Sequence, residues 1–491
     1  MNVAEYKQKD GVALANLIRK KEVKAEELVQ TALLCMKENK HLNACVYHRH
    51  EEAIQEVAKV ETTSLFAGVP FLLKNSSQAL SGAPLTSGSA LFKDHRSMQT
   101  SHYTKRLQDA GLLMLGYTNA PEFGLKNITE PRLYGATRNP HDPSRSPGGS
   151  SGGAAAAVAS GIVPFAGASD GGGSIRIPAA FTGLVGLKPT RGRTPVGPGV
   201  GRQWQGAAID FVISRSVRDS ARALDVLQIV QPEAAFQTPL YERGYEATLR
   251  DAPKKLRIAY TLASPVHTPV SEDAKAAVRK CVRWLASLGH EVEEVQPSID
   301  GVALIQHYYL MNAGEMASLR DRLEQAFGRA LLSHELETES WLLSQCGKNV
   351  TASAYAQSLL AWDEAAAVMS DFHRTYDLYI TPTVAHVAPK IGELTPTVAQ
   401  EAFWKERVNE LRVDEQLHLI YELFLPGLTY TPFTQLANLT GQPAISLPLY
   451  KTEEGLPLGV QFMAQKGKDE LLLQIARMFE ESALWCMGVE E

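Results

Sequence analysis

The sequence predicts an α/β fold, because short apolar strands alternate with amphipathic helices along most of its 491 residues. One β-α-β unit is especially clear. It comprises a strand over 256–261, a helix over 271–288 with Ser271 as N-cap and Gly289 just past its end, and a strand over 291–295. No internal repeat, low-complexity block or obvious linker divides the chain. The pattern therefore favours one architecture built on a large sheet.

The same periodicities predict the other elements. Helical spacing of apolar residues predicts two helices in the first forty residues and a helix-rich region over 300–375. Further helices are predicted over 102–107, 151–160 and 470–484, and strands over 66–74, 111–116, 377–382, 443–448 and 456–462. The segment 190–215 is rich in Gly, Pro and Arg without a clear period, which predicts a long loop, and 232–255 is predicted as a surface connection.

Composition and charge exclude several classes of protein. The net charge is −5, with 49 Lys plus Arg against 54 Asp plus Glu, which argues against a protein that binds nucleic acid by bulk electrostatics. No apolar stretch is long enough for a membrane span, and the N-terminus lacks the apolar core of a signal peptide. The five cysteines are odd in number and have no metal-like spacing. These features predict a reduced, cytoplasmic protein.

Two serine-bearing glycine clusters are the most informative motifs. GGSSGG spans 148–153 and holds Ser150 and Ser151, whereas GGGS spans 171–174 and ends at Ser174. Flanking glycines remove the Cβ atoms that would block a ligand, and they let N–H groups turn toward one point, as an oxyanion requires. Upstream, GVPFLLKN places Lys74 at the end of an apolar run. Together these segments predict a serine nucleophile served by a lysine rather than a histidine.

Each of these residues also has a plain structural interpretation. Lysines at strand ends commonly extend their charge to solvent, and Gly-Ser pairs commonly form helix caps or turns. Arg176 fits a structural ion pair better than a catalytic role, and Asp170 is expected to orient the glycine loop through backbone hydrogen bonds. GSSGG also fits G-x-S-x-G, which would make Ser151 an α/β-hydrolase nucleophile, but the other motifs of that fold do not stand out. No P-loop or metal-binding motif occurs, so neither a cofactor nor a metal is expected.

The order of the motifs resembles the amidase signature family. GGSSGG, DGGGSIRIPAAFTGLVGLKPT and the upstream GVPFLLKNS carry the resemblance, with further matching segments at 116–124, 135–140, 377–382, 441–443 and 455–459. The resemblance implies a cofactor-free amide hydrolase with a single domain over 1–491, in which a mixed β-sheet is covered by helices on both faces. Its catalytic core would span about 60–195, and a variable helical substrate region about 300–375.

The resemblance also assigns roles to individual residues. Ser174 matches the acylated nucleophile, Ser150 the bridging serine, which the family usually holds by a cis peptide, and Lys74 the general base. The oxyanion hole matches the backbone N–H groups of Gly171, Gly172, Gly173 and Ser174. A lysine acts as a base only when neutral, and burial beside the apolar run would depress its pKa from about 10.4. Ser150 would then relay a proton from Ser174 to Lys74 and later deliver it to the leaving amine.

Three functions follow, in order of preference. Segments such as TEPRLYGATRNP and LKPTRGRTPVGP resemble those of free bacterial amidases, and suggest amides of the 6-aminohexanoate cyclic-dimer type. The catalytic subunit of the glutamyl-tRNA amidotransferase shares the triad, but it typically has Gln where this chain has Ile177. It also has a basic helix pattern that 400–430 lacks. From another class, the chain could be a non-catalytic binding relative, although such relatives have degraded triads and all three residues stand here.

Substrate choice is expected to depend on the loop at 195–212, the helices at 300–345 and the segment 431–438. The residues singled out there and near the catalytic motifs are Phe123, Asn127, Tyr308, Tyr309, Met311 and Asn312, of which Phe123, Asn127 and Asn312 are the predicted substrate contacts. The expected partner is a small-molecule amide, with no nucleic acid and no membrane. A homodimer is a further hypothesis.

Overall fold

The computed structural model describes residues 1–487, in which two β-sheets are surrounded by helices. The strands are β1 (Cys45–His48), β2 (Pro70–Lys74), β3 (Leu113–Thr118), β4 (Phe165–Asp170), β5 (Val185–Lys188), β6 (Ile209–Ser214), β7 (Arg257–Tyr260), β8 (Glu291–Glu294), β9 (Leu378–Pro382), β10 (Ala444–Lys451) and β11 (Pro457–Ala464). The domain predicted over 1–491 includes four terminal residues that lie outside the described part.

Sixteen α-helices accompany these strands in residues 1–487. They are α1 (Val3–Lys7), α2 (Gly11–Arg19), α3 (Ala25–Glu38), α4 (His50–Glu56), α5 (His102–Asp109), α6 (Gly152–Ala159), α7 (Arg176–Thr182), α8 (Val217–Leu227), α9 (Glu272–Ser287), α10 (Gly301–Phe327), α11 (Thr338–Gly347), α12 (Ala352–Thr375), α13 (Val398–Arg407), α14 (Val413–Tyr430), α15 (Gln435–Thr440) and α16 (Asp469–Glu480). Among them, none combines the length and the hydropathy that a bilayer span requires.

The larger sheet is mixed, as predicted. Its strands lie in the order β4-β6-β5-β10-β11-β9-β7-β8. Strands β4 to β9 in this order pair antiparallel, whereas β9, β7 and β8 pair parallel. The parallel end contains the predicted β-α-β unit, in which Ser271 caps α9 by accepting a hydrogen bond from the Ala274 N–H. This confirms the fold class.

Helices cover both faces of this sheet, as the side chains of β9 illustrate. Leu378 and Ile380 join the main core cluster, which also contains Leu285 of α9 and Leu472 of α16. The intervening Tyr379 belongs to a second cluster with residues of α12 and α15. Because successive strand residues point to opposite faces, the two clusters lie on opposite sides of the sheet.

The predicted long loop over 190–215 is wrong at its C-terminal end. Residues 209–214 form β6, which pairs with β4 on one side and β5 on the other. All six residues of IDFVIS are buried, so this central strand has no alternating pattern to distinguish it from its loop-like flank. The helix predicted over 271–288 ends at Ser287, and Leu288 just past it is 48% exposed.

A separate three-stranded sheet, in the order β1-β3-β2, carries the predicted base. Lys74 is the last residue of its strand β2, and Ser169 lies next to last in β4 of the larger sheet. The buried helix α6 begins directly after Ser150 and Ser151. A Cβ on Gly153 would lie 2.4 Å from the Asn119 backbone nitrogen, so only glycine allows α6 to approach this closely. The ends of β2, β4 and α6 therefore meet at one place.

Candidate active site

Lys74 is held between two serine hydroxyls where those elements meet. Its Nζ lies 2.8 Å from Oγ of Ser150 and 2.8 Å from Oγ of Ser169. The side chains of Lys74 and Ser150 are buried. The structure thus brings together two residues that lie 76 positions apart in the chain.

Burial determines the protonation of Lys74. Removal from water lowers the pKa of its ammonium group to about 7, although the carboxylates of Asp210 and Asp170 oppose this shift. Asp210 is itself occupied, since its carboxylate accepts hydrogen bonds from Ser77, Gln78 and Gln203. A lysine in this environment is substantially neutral near pH 7 and can accept a proton.

Ser150 and the adjacent Ser151 have different surroundings. The peptide bond between Gly149 and Ser150 is cis, as the resemblance implied, and the Ser150 hydroxyl faces Lys74. The Ser151 hydroxyl instead donates to the backbone carbonyl of Ser169 at 3.2 Å and accepts from the Ser169 N–H at 3.3 Å. Ser151 occupies the N-cap position of α6 without forming a cap hydrogen bond. Its contacts are those of a residue that fastens α6 to β4.

A buried ion pair fixes the position of the glycine cluster at 171–173. Asp170 and Arg176 are fully buried and 2.9 Å apart. The Asp170 carboxylate also accepts the N–H groups of Gly173 at 2.7 Å and Ile175 at 3.2 Å. Arg176, against the penalty of burial, keeps the pKa of Asp170 near 2. Both structural roles expected for Asp170 and Arg176 are therefore observed.

Two side-chain hydroxyl groups fix the carbonyl groups of the same loop. The Tyr308 hydroxyl donates to the Gly171 carbonyl at 3.0 Å, and the Thr434 hydroxyl donates to the Gly172 carbonyl at 2.6 Å. In a trans peptide the C=O and N–H point in opposite directions, so anchoring a carbonyl also aims the following N–H. Since the Gly173 N–H already donates to Asp170, this donor of the predicted oxyanion hole is occupied in the structure.

Ser174 and the cavity in front of it complete the arrangement. Ser174 is partly exposed and lines a cavity of about 810 Å³ together with Ser150, Ser169, Gly171 and Gly172. This volume suits a ligand of several hundred daltons. Aromatic and aliphatic side chains form much of the wall: Phe92, Phe123, Leu125, Ile177, Val200, Trp204, Tyr308, Tyr309, Leu319, Phe424 and Leu428.

The three predicted substrate contacts all line this cavity. Phe123 has a left-handed backbone with φ of 50°, which is uncommon for a non-glycine residue. The Asn127 side-chain amide donates to the Gly427 carbonyl and the Thr431 hydroxyl, which fastens it to α14. The Asn312 carbonyl oxygen accepts from the Trp204 indole at 2.6 Å. The two asparagines thus already have protein partners.

Of the other residues named from the sequence, some line the cavity and one does not. Tyr308 and Tyr309 line the cavity, and so do residues from the loop at 195–212 and the segment 431–438. Met311 does not, since it is buried in a separate apolar cluster with Trp362 and Leu439. On α10 its direction differs from that of Asn312 by one residue, or about 100°.

Sequence reasoning missed Ser169 and Thr434. Ser169 is a hydroxyl residue at the end of the small-residue run FAGAS, five positions before Ser174, and this was the only local signal. Thr434 lies 262 positions from its partner Gly172, so no local pattern connects them. Within residues 1–487, no cluster of three or more His, Cys, Asp or Glu side chains has the arrangement of a metal site.

A buried lysine in contact with one serine, at a cavity lined by a second serine beside an anchored glycine loop, is the kind of site that a serine hydrolase with a lysine base requires. Comparison with known proteins identifies the family. The Amidase family model matches residues 27–473, and the chain belongs to the amidase family. The chain accordingly belongs to a class of enzymes that hydrolyse the carbon–nitrogen bonds of amides.

Individual relatives agree with this. A lipoamidase of Enterococcus faecalis is 41% identical over 98% of this chain, which spans 64% of that longer protein. A 6-aminohexanoate-cyclic-dimer hydrolase of Paenarthrobacter ureafaciens is 35% identical over 97% of this chain and 95% of its own length. The solved structure of a 6-aminohexanoate cyclic dimer hydrolase complexed with substrate superposes with a TM-score of 0.87 at 32% identity, covering 98% of both chains. These relatives favour the free amidase over the amidotransferase subunit.

Proposed function

We propose that this chain hydrolyses carboxylic amides through an acyl-enzyme, with Ser174 as nucleophile, Ser150 as proton relay and Lys74 as base. The observation that carries the proposal is the 2.8 Å contact between Lys74 Nζ and Ser150 Oγ at the edge of the cavity that Ser174 lines. A serine hydroxyl attacks a carbonyl effectively only when a base removes its proton. A lysine whose pKa burial has lowered to about 7 supplies that base near neutral pH.

During acylation a proton moves through Ser150 to Lys74, and a proton then moves back from Lys74 through Ser150 to the leaving nitrogen. Oγ of Ser174 forms a bond to the amide carbon while its proton passes to Ser150, whose own proton passes to neutral Lys74. When the tetrahedral intermediate breaks down, Lys74 returns a proton to Ser150, and Ser150 protonates the departing nitrogen. The carbon–nitrogen bond breaks, the free amine leaves, and the acyl group remains as an ester on Ser174.

Deacylation repeats these steps with water in place of Ser174. Water attacks the ester carbon and its proton passes through Ser150 to Lys74, and the proton then returns to Ser174 as the carboxylic acid is released. Both halves build negative charge on the carbonyl oxygen. We assign its stabilisation to the N–H groups of Gly171, Gly172 and Ser174, because the Gly173 N–H already donates to Asp170.

The proposed substrates are amides with an extended, largely apolar acyl group. Support comes from the aromatic walls and the 810 Å³ volume of the cavity, which exceed the needs of a small aliphatic amide. A lipoic acid amide is the first candidate, by analogy with the lipoamidase relative. The 6-aminohexanoate cyclic dimer is the second, by analogy with the cyclic-dimer hydrolases.

Several earlier expectations remain part of this proposal. We propose that the region at about 60–195 is the catalytic core, because it supplies the catalytic side chains. The region at about 300–375 is the proposed substrate region, because it supplies α10 to the cavity wall. The homodimer and the cytoplasmic location stay hypotheses. Five free cysteines within residues 1–487 are consistent with a reduced environment.

A single preparation tests the function. The purified chain, without other subunits, is incubated with a panel of amides that includes lipoamide and the 6-aminohexanoate cyclic dimer, and released amine is measured. A fluorophosphonate probe is expected to modify Ser174, and peptide mass spectrometry locates the adduct. Ser151→Ala should keep the labelling and Ser174→Ala should abolish it. Undiminished labelling of Ser174→Ala, or amide turnover only with added partner subunits and tRNA, would contradict the proposal.

A further inference from the structure

One long face of α10 forms a wall of the cavity. Tyr308, Asn312, Glu315, Leu319 and Arg322 all line it, and their spacing of four and three residues places them on one side of the helix. Tyr308 marks the catalytic end, because its hydroxyl contacts the Gly171 carbonyl. At 1.5 Å per residue, Arg322 lies about 21 Å further along the helix axis. Helical side chains lean toward the N-terminus at both positions, so the guanidinium group and the Tyr308 hydroxyl are also on the order of 20 Å apart along the axis.

The cavity lining includes two exposed arginines, Arg202 and Arg322, of which Arg322 marks the far end of the α10 face. Over residues 1–487 Arg202 has no hydrogen-bond or ion-pair partner, and Arg322 donates only to the Ser318 hydroxyl at 2.8 Å. The third cation of the lining, Lys126, is different in kind. It lies 2.9 Å from the Glu337 carboxylate and makes a second ion pair next to it, so its charge is already compensated.

The single carboxylate of the described cavity lining does not neutralise these arginines. Glu315 accepts hydrogen bonds from the Gln205 amide at 2.8 Å and the Tyr355 hydroxyl at 2.5 Å. It forms no ion pair with Arg202 or Arg322 within 4.0 Å in the described chain. One negative charge thus faces two positive ones, and the rim carries an excess of positive charge.

Apolar side chains make up much of the remaining lining, although Asn312 and Glu315 lie on the α10 face between Tyr308 and Arg322. Leu319 lies on α10 itself, and Tyr309, Phe424, Trp204 and Val200 contribute from the same helix, α14 and the adjoining loop. A ligand that reaches from the glycine loop to the arginines therefore passes apolar side chains before it meets positive charge. An extended chain with a terminal anion has this pattern.

We propose that Arg202 and Arg322 bind a carboxylate on the order of 20 Å from the scissile carbonyl, which makes long amides with a distal acid group the preferred substrate class. A bidentate or paired guanidinium site suits a carboxylate. The inference rests on the proposed amidase function and narrows its substrates. At about 1.2 Å per chain bond, the distance corresponds to roughly sixteen bonds.

The test uses two matched series of amides with the wild-type enzyme. On the acyl side, these are mono-p-nitroanilides of suberic, dodecanedioic, hexadecanedioic and octadecanedioic acid. On the amine side, they are hexanoyl amides of the ω-amino acids of corresponding length. Each acid is paired with the same chain ending in a hydroxymethyl group, and kcat/KM is measured for both. The two series distinguish which arm of the substrate lies along α10.

The ratio of kcat/KM for acid over alcohol is the readout. In one series it is expected to rise with chain length to about tenfold at the hexadecanedioic or octadecanedioic length, and to fall at high salt. Arg202→Gln and Arg322→Gln should each lower that ratio about threefold or more, mainly through KM. Arg283→Gln, which removes an exposed arginine of α9 far from the lining, should keep the wild-type ratio.

The possible failures are separable. If the wild type hydrolyses both members of each pair with equal kcat/KM at every length, the carboxylate site is wrong while the amidase function stands. The same holds if the preference survives in the double variant of Arg202 and Arg322. If the wild type hydrolyses no amide in either series or in the broader panel, the proposed function itself fails, and this inference fails with it.

Discussion

The hydroxyl of Tyr308 donates a 3.0 Å hydrogen bond to the carbonyl of Gly171, across 137 positions of sequence. This contact ties helix α10, which lines the cavity, to the glycine loop beside Ser174. It anchors the peptide plane whose other polar group is the Gly172 N–H, one of the proposed oxyanion donors. A residue of the substrate region therefore sets the orientation of a catalytic donor.

Removal of this hydroxyl is expected to slow the chemistry more than binding. Tyr308→Phe should lower kcat on a small chromogenic anilide about tenfold, with KM changed less than twofold, because a misaimed donor stabilises the transition state less well. Tyr309→Phe is the matched control, since its ring stacks on Phe424 at 5.0 Å and is placed away from the loop carbonyls. Equal kinetics for the two variants would refute the positioning role.

The pH dependence of acylation should report Lys74. Burial lowers its pKa to about 7, and the neutral form is the base, so kcat/KM is expected to rise from pH 6 to 8 and then level off. Lys74→Met should reduce kcat/KM by at least about a hundredfold and remove this limb. The profile is measured with a neutral anilide whose own ionisation does not change over the range.

Lys188 provides the control for that assignment. Burial also lowers its pKa to about 7, but its Nζ donates to the Pro189 carbonyl and it lies outside the cavity lining. Lys188→Met is therefore expected to preserve the rising limb, whatever its effect on stability. If the rising limb disappeared in Lys188→Met and persisted in Lys74→Met, the titration would belong to Lys188 and the assignment to Lys74 would be wrong.

Ser169 should tune Lys74 without taking part in the bond changes. Its hydroxyl oxygen accepts from the ammonium at 2.8 Å, which favours the charged form. Ser169→Ala is expected to lower the pKa of Lys74 further, moving the rising limb to lower pH, and to reduce the plateau several-fold as the amine loses orientation. Ser169→Thr retains a hydroxyl and should restore the position of the limb. An unshifted limb in Ser169→Ala would exclude this role.

The buried pair of Asp170 and Arg176 should dominate local stability. Arg176→Ala leaves a fully buried carboxylate without its cation, which is expected to cost about 3–5 kcal/mol in the free energy of unfolding. Urea unfolding followed by tryptophan fluorescence measures the difference. Arg329→Ala removes an exposed arginine paired with Glu335 at 2.6 Å, and should cost less than about 1 kcal/mol. Similar losses in both variants would contradict the assigned weight of the buried pair.

Local patterns were sufficient for the elements whose signals are periodic. The β-α-β unit around α9 was predicted to within a few residues, because capping, helical spacing and a terminal glycine all agree there. Strand β6 was missed because a central strand buried on both faces has no alternation, and its neighbours in the sheet come from other parts of the chain. Strands β2 and β3 were both predicted, but their pairing in a second sheet that presents Lys74 was not, because it joins segments that are distant in the chain.

The chemistry-bearing residue types were readable from their motifs: an apolar run ending in Lys74, and glycine clusters around Ser150 and Ser174. Glycines around a serine permit backbone conformations and close approaches that other residues prevent, so short segments carry the signal. The distances, the pKa of Lys74 and the anchoring of the glycine loop by Tyr308 and Thr434 came only with the tertiary structure. Desolvation and hydrogen-bond geometry depend on which distant segments pack together, as the 262 positions between Thr434 and Gly172 illustrate, and no local stretch of sequence contains that information.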